Sequence, residues 1–156
     1  MERVPGRPVV RSFFGGMATQ LLVVLLAVVF PPPADFRPPL EEFLRAGPMA
    51  VATLFVIAVM LAPLLEEAIF RGLLFPAMRA RYGFVASALT VTGLFAALHA
   101  TQTGSYWPAL AGIALCGYFL AYLRERTGSL WPSVAFHAGF NFTAFIPVLV
   151  LGAIPA

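Results

Sequence analysis

Charge is scarce in this sequence. Of the 156 residues, 11% are charged and 60% are hydrophobic, and no lysine occurs. Soluble globular domains average about 25% charged and about 45–50% apolar residues. The composition therefore excludes a soluble domain, and it predicts an all-α protein built as one polytopic bundle of transmembrane helices.

Cysteine is rarer still, with Cys116 alone, so an internal disulfide is excluded and we interpret this residue as a packing residue in an apolar run. The net charge of +3 comes from arginine. The arginines cluster at the ends of apolar segments, which indicates membrane topology, and we expect no nucleic-acid partner.

Five apolar runs are long enough to span a bilayer. We predict a 1–12 cytoplasmic segment and a single membrane-embedded domain over 13–156. Its helices are predicted over 13–30, 48–82, 84–100, 108–123 and 130–151, with Pro63 breaking or kinking the second. A cleaved signal peptide is the alternative for the first run, but three prolines follow it instead of a small-residue cleavage site. The proline-rich segment 31–47 is predicted as a loop with a short interfacial helix over 40–46.

The arginines divide unequally between the two ends of these helices. Positive charge accumulates on the cytoplasmic side of membrane proteins, so the N-terminus is predicted to be cytoplasmic and the C-terminus outside. The lysine-free, alanine- and proline-rich composition favours a bacterial inner-membrane protein. One end collects Arg3, Arg7, Arg11, Arg79, Arg81, Arg124 and Arg126, and the other has only Arg37 and Arg45.

Two adjacent acids, Glu66 and Glu67, lie inside an apolar run with Arg71 close behind. Ionisable groups at bilayer depth are costly and indicate a functional site. Glu67 and Arg71 are four residues apart and share a helix face, so we predict that they form a structural ion pair. Glu66 is rotated by about 100° from Glu67 and is therefore predicted to be the available carboxylate.

The only two histidines also lie in apolar runs. His137 and Asn141 have an i, i+4 spacing that aims both at one place, and His99 ends another run. A carboxylate partly shielded from water can act as a general base, with an imidazole orienting the water. A second imidazole and an amide can donate to an oxyanion. This pattern predicts hydrolysis with Glu66 as base, His99 as water-orienting residue, and His137 and Asn141 as oxyanion donors.

Zinc is the alternative arrangement, with Glu66, His99 and His137 as ligands and water in the fourth position. The sequence contains no His-Glu-x-x-His motif, and asparagine is an unusual zinc ligand. We therefore predict that no metal or other cofactor takes part.

Three motifs occur in order on successive apolar segments: Glu66-Glu67-x-x-x-Arg71, Phe95-x-x-x-His99 and His137-x-x-x-Asn141. Together they resemble the CPBP family of CAAX-prenyl-protease and bacteriocin-processing membrane proteins, over a core of about 62–142. The resemblance implies an intramembrane endopeptidase whose cavity is open to the cytoplasm. It implies the same four catalytic residues in a glutamic-type mechanism, with structural roles for Glu67 and Arg71.

The expected partners are membrane lipid and a membrane-associated peptide or protein substrate. Relatives with established CAAX processing carry more helices around this core, and the composition fits a bacterial member, so we expect a substrate other than a prenylated protein. A different class of function is the alternative, namely a non-catalytic immunity or scaffold protein that binds a peptide in the same cavity.

Overall fold

The computed structural model describes residues 6–37, 41–104 and 106–151, without the side chains of residues 41, 42, 150 and 151. Within these ranges the ordered elements are all helical, which confirms the all-α class. The α-helices are α1 (Gly6–Val29), α2 (Glu41–Arg45), α3 (Pro48–Val56), α4 (Ala62–Glu67), α5 (Phe75–His99), α6 (Trp107–Thr127) and α7 (Trp131–Leu151). Two π-helical segments, Ile57–Leu61 and Ala68–Leu74, join α3 to α4 and α4 to α5.

The chain from Pro48 to His99 is helical almost throughout, but it folds back on itself at Gly83. Gly83 has φ 75° and ψ 173°, which are not helical values, and a positive φ is readily adopted only by glycine. The Phe75 ring packs against Phe84 at 6.2 Å, and Phe70 packs against Phe95 at 5.2 Å. Residues on the two sides of Gly83 therefore pair as in a helical hairpin, with arms 48–82 and 84–99.

The first and last helices lie in direct backbone contact. A Cβ atom on Gly16 would lie 1.9 Å from Phe136 O, and one on Gly139 would lie 2.1 Å from Phe13 O. Small residues allow this close approach, which is typical of helix packing in membranes. Glycine at these two positions therefore places α7, which carries His137, firmly against α1.

Three helical stretches are long and apolar enough to cross a membrane, counted over the described residues: Gly6–Val29, Pro48–His99 and Trp107–Thr127. Because Gly83 divides the second into two arms, these stretches and α7 correspond to the five predicted spanning segments. Many large apolar side chains face outward, including Leu25, Leu65 and Leu73. A surface of this kind suits lipid contact.

Helix boundaries differ from the prediction at two places. The first helix begins at Gly6, seven residues earlier than predicted, so residues 6–12 of the segment 1–12 are helical; residues 1–5 lie outside the described part. The fourth predicted helix, α6, continues to Thr127 and ends at Gly128, whose φ of 65° is a left-handed cap. The short helix predicted over 40–46 is present as Glu41–Arg45, although residue 40 is not described.

The interruption predicted at Pro63 is a change in hydrogen bonding. The backbone keeps helical dihedral angles at Leu61 and Ala62, the two residues before the proline, and α4 continues through Pro63 to Glu67. The α-helix gives way to the π-helical segment Ile57–Leu61, which ends two residues before the proline. The polypeptide therefore stays helical, but its backbone hydrogen bonds change from the i→i−4 pattern of an α-helix to the i→i−5 pattern of a π-helix.

Candidate active site

The short helix α4 presents its two acids to different surroundings. Glu67 is completely buried, whereas the Glu66 side chain retains 28% of its exposure and lines a cavity. Adjacent helical residues are about 100° apart, which accounts for the difference. The predicted separation of the two carboxylates is therefore present.

Glu67 forms the ion pair that its spacing from Arg71 predicted. Arg71 Nη1 donates to Glu67 Oε1 at 2.9 Å, and both side chains are fully buried. Arg71 Nη2 also donates to the carbonyl of Gly117 at 2.9 Å, and the guanidinium lies 4.7 Å from the Phe95 ring centroid. The pair thus ties the acid-bearing arm to α6 and to the second arm of the hairpin.

Glu67 also contacts His137, a contact that no sequence signal indicated. Glu67 Oε1 lies 3.1 Å from His137 Nδ1. An ionised carboxylate only accepts hydrogen bonds, so Nδ1 carries the proton in this contact. In the neutral ring, His137 Nε2 then has a free lone pair.

His99 has the same proton arrangement for a different reason. Its Nδ1 lies 2.7 Å from Phe95 O, and a carbonyl oxygen only accepts, so this nitrogen is the donor. The Phe95 ring packs against both imidazoles, with centroids 4.4 Å from His99 and 5.6 Å from His137. The sequence indicated Phe95 as a packing residue; the rings that it packs against are those of the candidate site.

Glu66 and both histidines converge on one place. Glu66 Oε2 lies 3.7 Å from His99 Nε2 and 3.7 Å from His137 Nε2. This distance is too long for a direct hydrogen bond, and among the described residues Glu66 Oε2 is buried without a hydrogen-bond partner. Three atoms that can accept hydrogen bonds therefore face one another, and no protein donor lies between them.

Asn141 lies on the same face of α7 as His137, and both line the cavity. Its Nδ2 donates to the backbone carbonyl of Ala58 at 2.7 Å. The amide has two hydrogens, so one remains for another acceptor. The contact with Ala58 was not predicted, because it depends on the register of a helix 83 residues earlier.

The cavity has a volume of about 380 Å³. Its wall is mostly apolar, and its polar groups come from the three predicted motifs, with Gln102 and Thr103 from the loop after α5. A concave apolar pocket with a few convergent polar groups is the usual form of a binding site. Cys116, interpreted as a packing residue, is buried and forms part of this wall.

The alternative zinc ligands, Glu66, His99 and His137, have the donor types that zinc takes. Zinc holds nitrogen and oxygen ligands at about 2.0–2.2 Å in a tetrahedron, which puts neighbouring ligand atoms about 3.3–3.6 Å apart. Glu66 Oε2 is 3.7 Å from each imidazole nitrogen. Over the described ranges, no group of three His, Cys, Asp or Glu side chains is placed to hold a metal ion.

The sequence model of one family matches the chain. This is the type II CAAX prenyl endopeptidase Rce1-like family, and the match covers residues 48–143, more than half of the chain. The chain belongs to this family. The matched region contains every candidate site residue from Glu66 to Asn141. Membership and the apolar helices identify the chain as an integral membrane protein and a protease of the CAAX type. No curated protein and no solved structure matches it.

Proposed function

We propose that the chain hydrolyses a peptide bond of a membrane-associated peptide or protein with a water molecule that Glu66 activates. The observation that carries this proposal is the position of Glu66 Oε2, which faces two imidazole nitrogens and has no hydrogen-bond donor among the described residues. A water molecule bound there can donate one hydrogen to Glu66 and the other to His99 Nε2. Both the base and the orientation of the nucleophile are then supplied by the protein.

In the reaction, the water oxygen attacks the scissile carbonyl carbon while its proton passes to Glu66. Glu66 then delivers that proton to the departing amine, so protons balance without a covalent enzyme intermediate. The oxyanion receives hydrogen bonds from the remaining Asn141 amide hydrogen and from His137 Nε2. Because His137 Nδ1–H already donates to Glu67, Nε2 can donate only after it binds a second proton; in the neutral ring Asn141 alone donates to the oxyanion.

The substrate is proposed to be held close to the membrane, because the site lies inside a helical bundle with a lipid-compatible surface. The probe for this proposal is a set of quenched fluorescent peptides, namely farnesylated CAAX sequences, palmitoylated peptides and unlipidated peptides. They are presented to the purified protein in proteoliposomes. Cleavage of a lipidated peptide is expected.

Glu66→Gln keeps the shape of the side chain and removes the base, so cleavage should fall by about 10²–10⁴-fold, the usual contribution of a general base. Glu125→Gln is the matched control, since Glu125 is partly exposed and pairs with Arg79 away from the cavity. It should cleave at the wild-type rate. Wild-type turnover in Glu66→Gln would contradict the proposal. A non-catalytic peptide-binding protein would cleave none of the peptides.

A further inference from the structure

The π-helical segment Ile57–Leu61 ends two residues before Pro63. The proline leaves one backbone carbonyl of this segment without a helical donor. The Ala62 N–H donates to Ile57 O, which is the i→i−5 pattern of a π-helix. In the same register the next donor would be residue 63. Pro63 has no N–H, so Ala58 O has no donor from its own helix.

Asn141 supplies the missing donor. Its Nδ2 lies 2.7 Å from Ala58 O, and α7 packs directly on the π-helical segment. In an α-helical register, the Ala62 N–H would itself donate to Ala58 O, four residues earlier. In the π register, therefore, Ala58 O is free to accept from Asn141. In the α register, Ala58 O would instead accept from the Ala62 N–H.

The register decides where Glu66 points. A shift of one residue turns every later residue by about 100° around the helix axis. The Glu66 side chain would then point in the direction in which Leu65 or Glu67 points now. Leu65 faces outward with 66% exposure, and Glu67 faces Arg71, so neither direction reaches the cavity between the imidazoles.

The helix α7 thus holds the acid-bearing arm on both sides of Glu66. Asn141 binds Ala58 before it, and His137 contacts Glu67 after it. The two α7 residues are one helical turn apart. Together they fix both the rotation of α4 and its distance from α7.

We infer that Asn141 is a positioning residue, which by binding Ala58 O holds the π-helical register that aims Glu66 at His99 and His137. The inference rests on the proposed function, because it concerns the placement of the proposed base. It adds to the proposed oxyanion role of Asn141: one amide hydrogen holds the helix, and the other remains for substrate.

The test measures the rotation of α4 without a substrate. Ala62 lies on α4 and lines the cavity, and Leu54 lines the same cavity but precedes the π-helical segment. In a Cys116→Ala background, Ala62→Cys and Leu54→Cys are each labelled with a small water-soluble methanethiosulfonate reagent. Adding Asn141→Ala should slow labelling of Ala62→Cys several-fold and leave that of Leu54→Cys unchanged.

A second variant controls for misfolding of Asn141→Ala. Asn141→Asp has almost the same shape but cannot donate from an ionised carboxylate, so it should change the labelling in the same way. If Ala62→Cys is labelled at the original rate in either folded variant, the positioning role is wrong and Asn141 acts on the substrate alone. Because labelling involves no peptide, it is independent of whether the proposed hydrolysis occurs; failure of that proposal would appear as absent cleavage.

Discussion

At the scale of single residues, one carboxylate oxygen of Glu67 takes part both in a buried ion pair and in the candidate active site. Glu67 Oε1 accepts from Arg71 and contacts His137 Nδ1. Removing one member of a buried ion pair leaves an uncompensated charge, whereas replacing both members with apolar or neutral groups is often tolerated. The two tasks of Glu67 can therefore be separated by mutation.

Arg71→Ala should lower the free energy of unfolding by about 3–5 kcal/mol, because the Glu67 charge remains buried without its partner. The double variant Glu67→Leu/Arg71→Met should recover most of that stability. It should not recover peptide cleavage, since the carboxylate that holds His137 is gone. Thermal unfolding in detergent and turnover of the cleaved peptide measure the two effects.

The exposed pair of Arg79 and Glu125 is the control, because surface ion pairs contribute roughly 0–1 kcal/mol. Arg79→Ala should unfold almost as wild type does. An Arg71→Ala protein that is as stable as wild type but inactive would contradict the structural role and place Arg71 in the reaction.

The sequence sufficed to predict which acid pairs with Arg71, since helical rotation alone separates Glu66 from Glu67. It did not predict the contact of Glu67 with His137, because the two residues are 70 positions apart on different helices and helical periodicity does not extend from one helix to another. The proton positions on both imidazoles follow from such tertiary contacts. The motifs therefore indicated residues that the structure brings together, but not these proton positions, and the assigned roles stay predictions.

At the scale of helices, the apolar runs predicted the elements well and their hydrogen bonding less well. Pro63 indicates an interruption, but the π register depends on the amide of Asn141 on another helix. The early start of α1 has a simpler reason. A helix of 24 residues is about 36 Å long, so it extends past a hydrocarbon core of about 30 Å and includes Arg7 and Arg11.

The contact between α1 and α7 should be sensitive to a single methyl group. Gly16→Ala places a Cβ 1.9 Å from Phe136 O, so the helices must separate, at a cost of about 1–3 kcal/mol typical of overpacking. Gly93→Ala is the matched control, because a Cβ there meets nothing within 4 Å. It should be neutral or stabilise by up to about 1 kcal/mol, since alanine favours helix.

Thermal unfolding of the two alanine variants in the same detergent compares them directly. Equal midpoints would show that α1 is not held against α7 in the way described.

At the scale of the whole molecule, arginine marks one end of the bundle. Arg79 binds Glu125 through three contacts of 2.9–3.2 Å, and Arg124 donates to the backbone of Arg71. The opposite end is aromatic, with Phe30 packed on Trp107. By the positive-inside rule the arginine-rich end is expected to be cytoplasmic. The cavity is lined by Gln102 and Thr103 from the loop at the opposite end, so this orientation disagrees with the expectation that the cavity opens to the cytoplasm.

Orientation is tested in bacterial cells with two exposed positions whose substitution leaves every charge in place. In a Cys116→Ala background, Ala34→Cys should react with a membrane-impermeant maleimide in intact cells. Thr127→Cys, at the arginine-rich end, should react only after the cells are permeabilised. The reverse pattern would show that the N-terminus lies outside.

The central claim is that Glu66 activates water directly, and chelation tests it most directly. Wild type and Glu66→Gln are treated exhaustively with chelator, their metal content is measured by elemental analysis, and cleavage of the same peptide is followed in proteoliposomes. We predict that metal-free wild type keeps its full turnover while Glu66→Gln remains inactive. Stoichiometric zinc in the untreated protein, with activity lost on chelation and restored by zinc alone, would contradict the account.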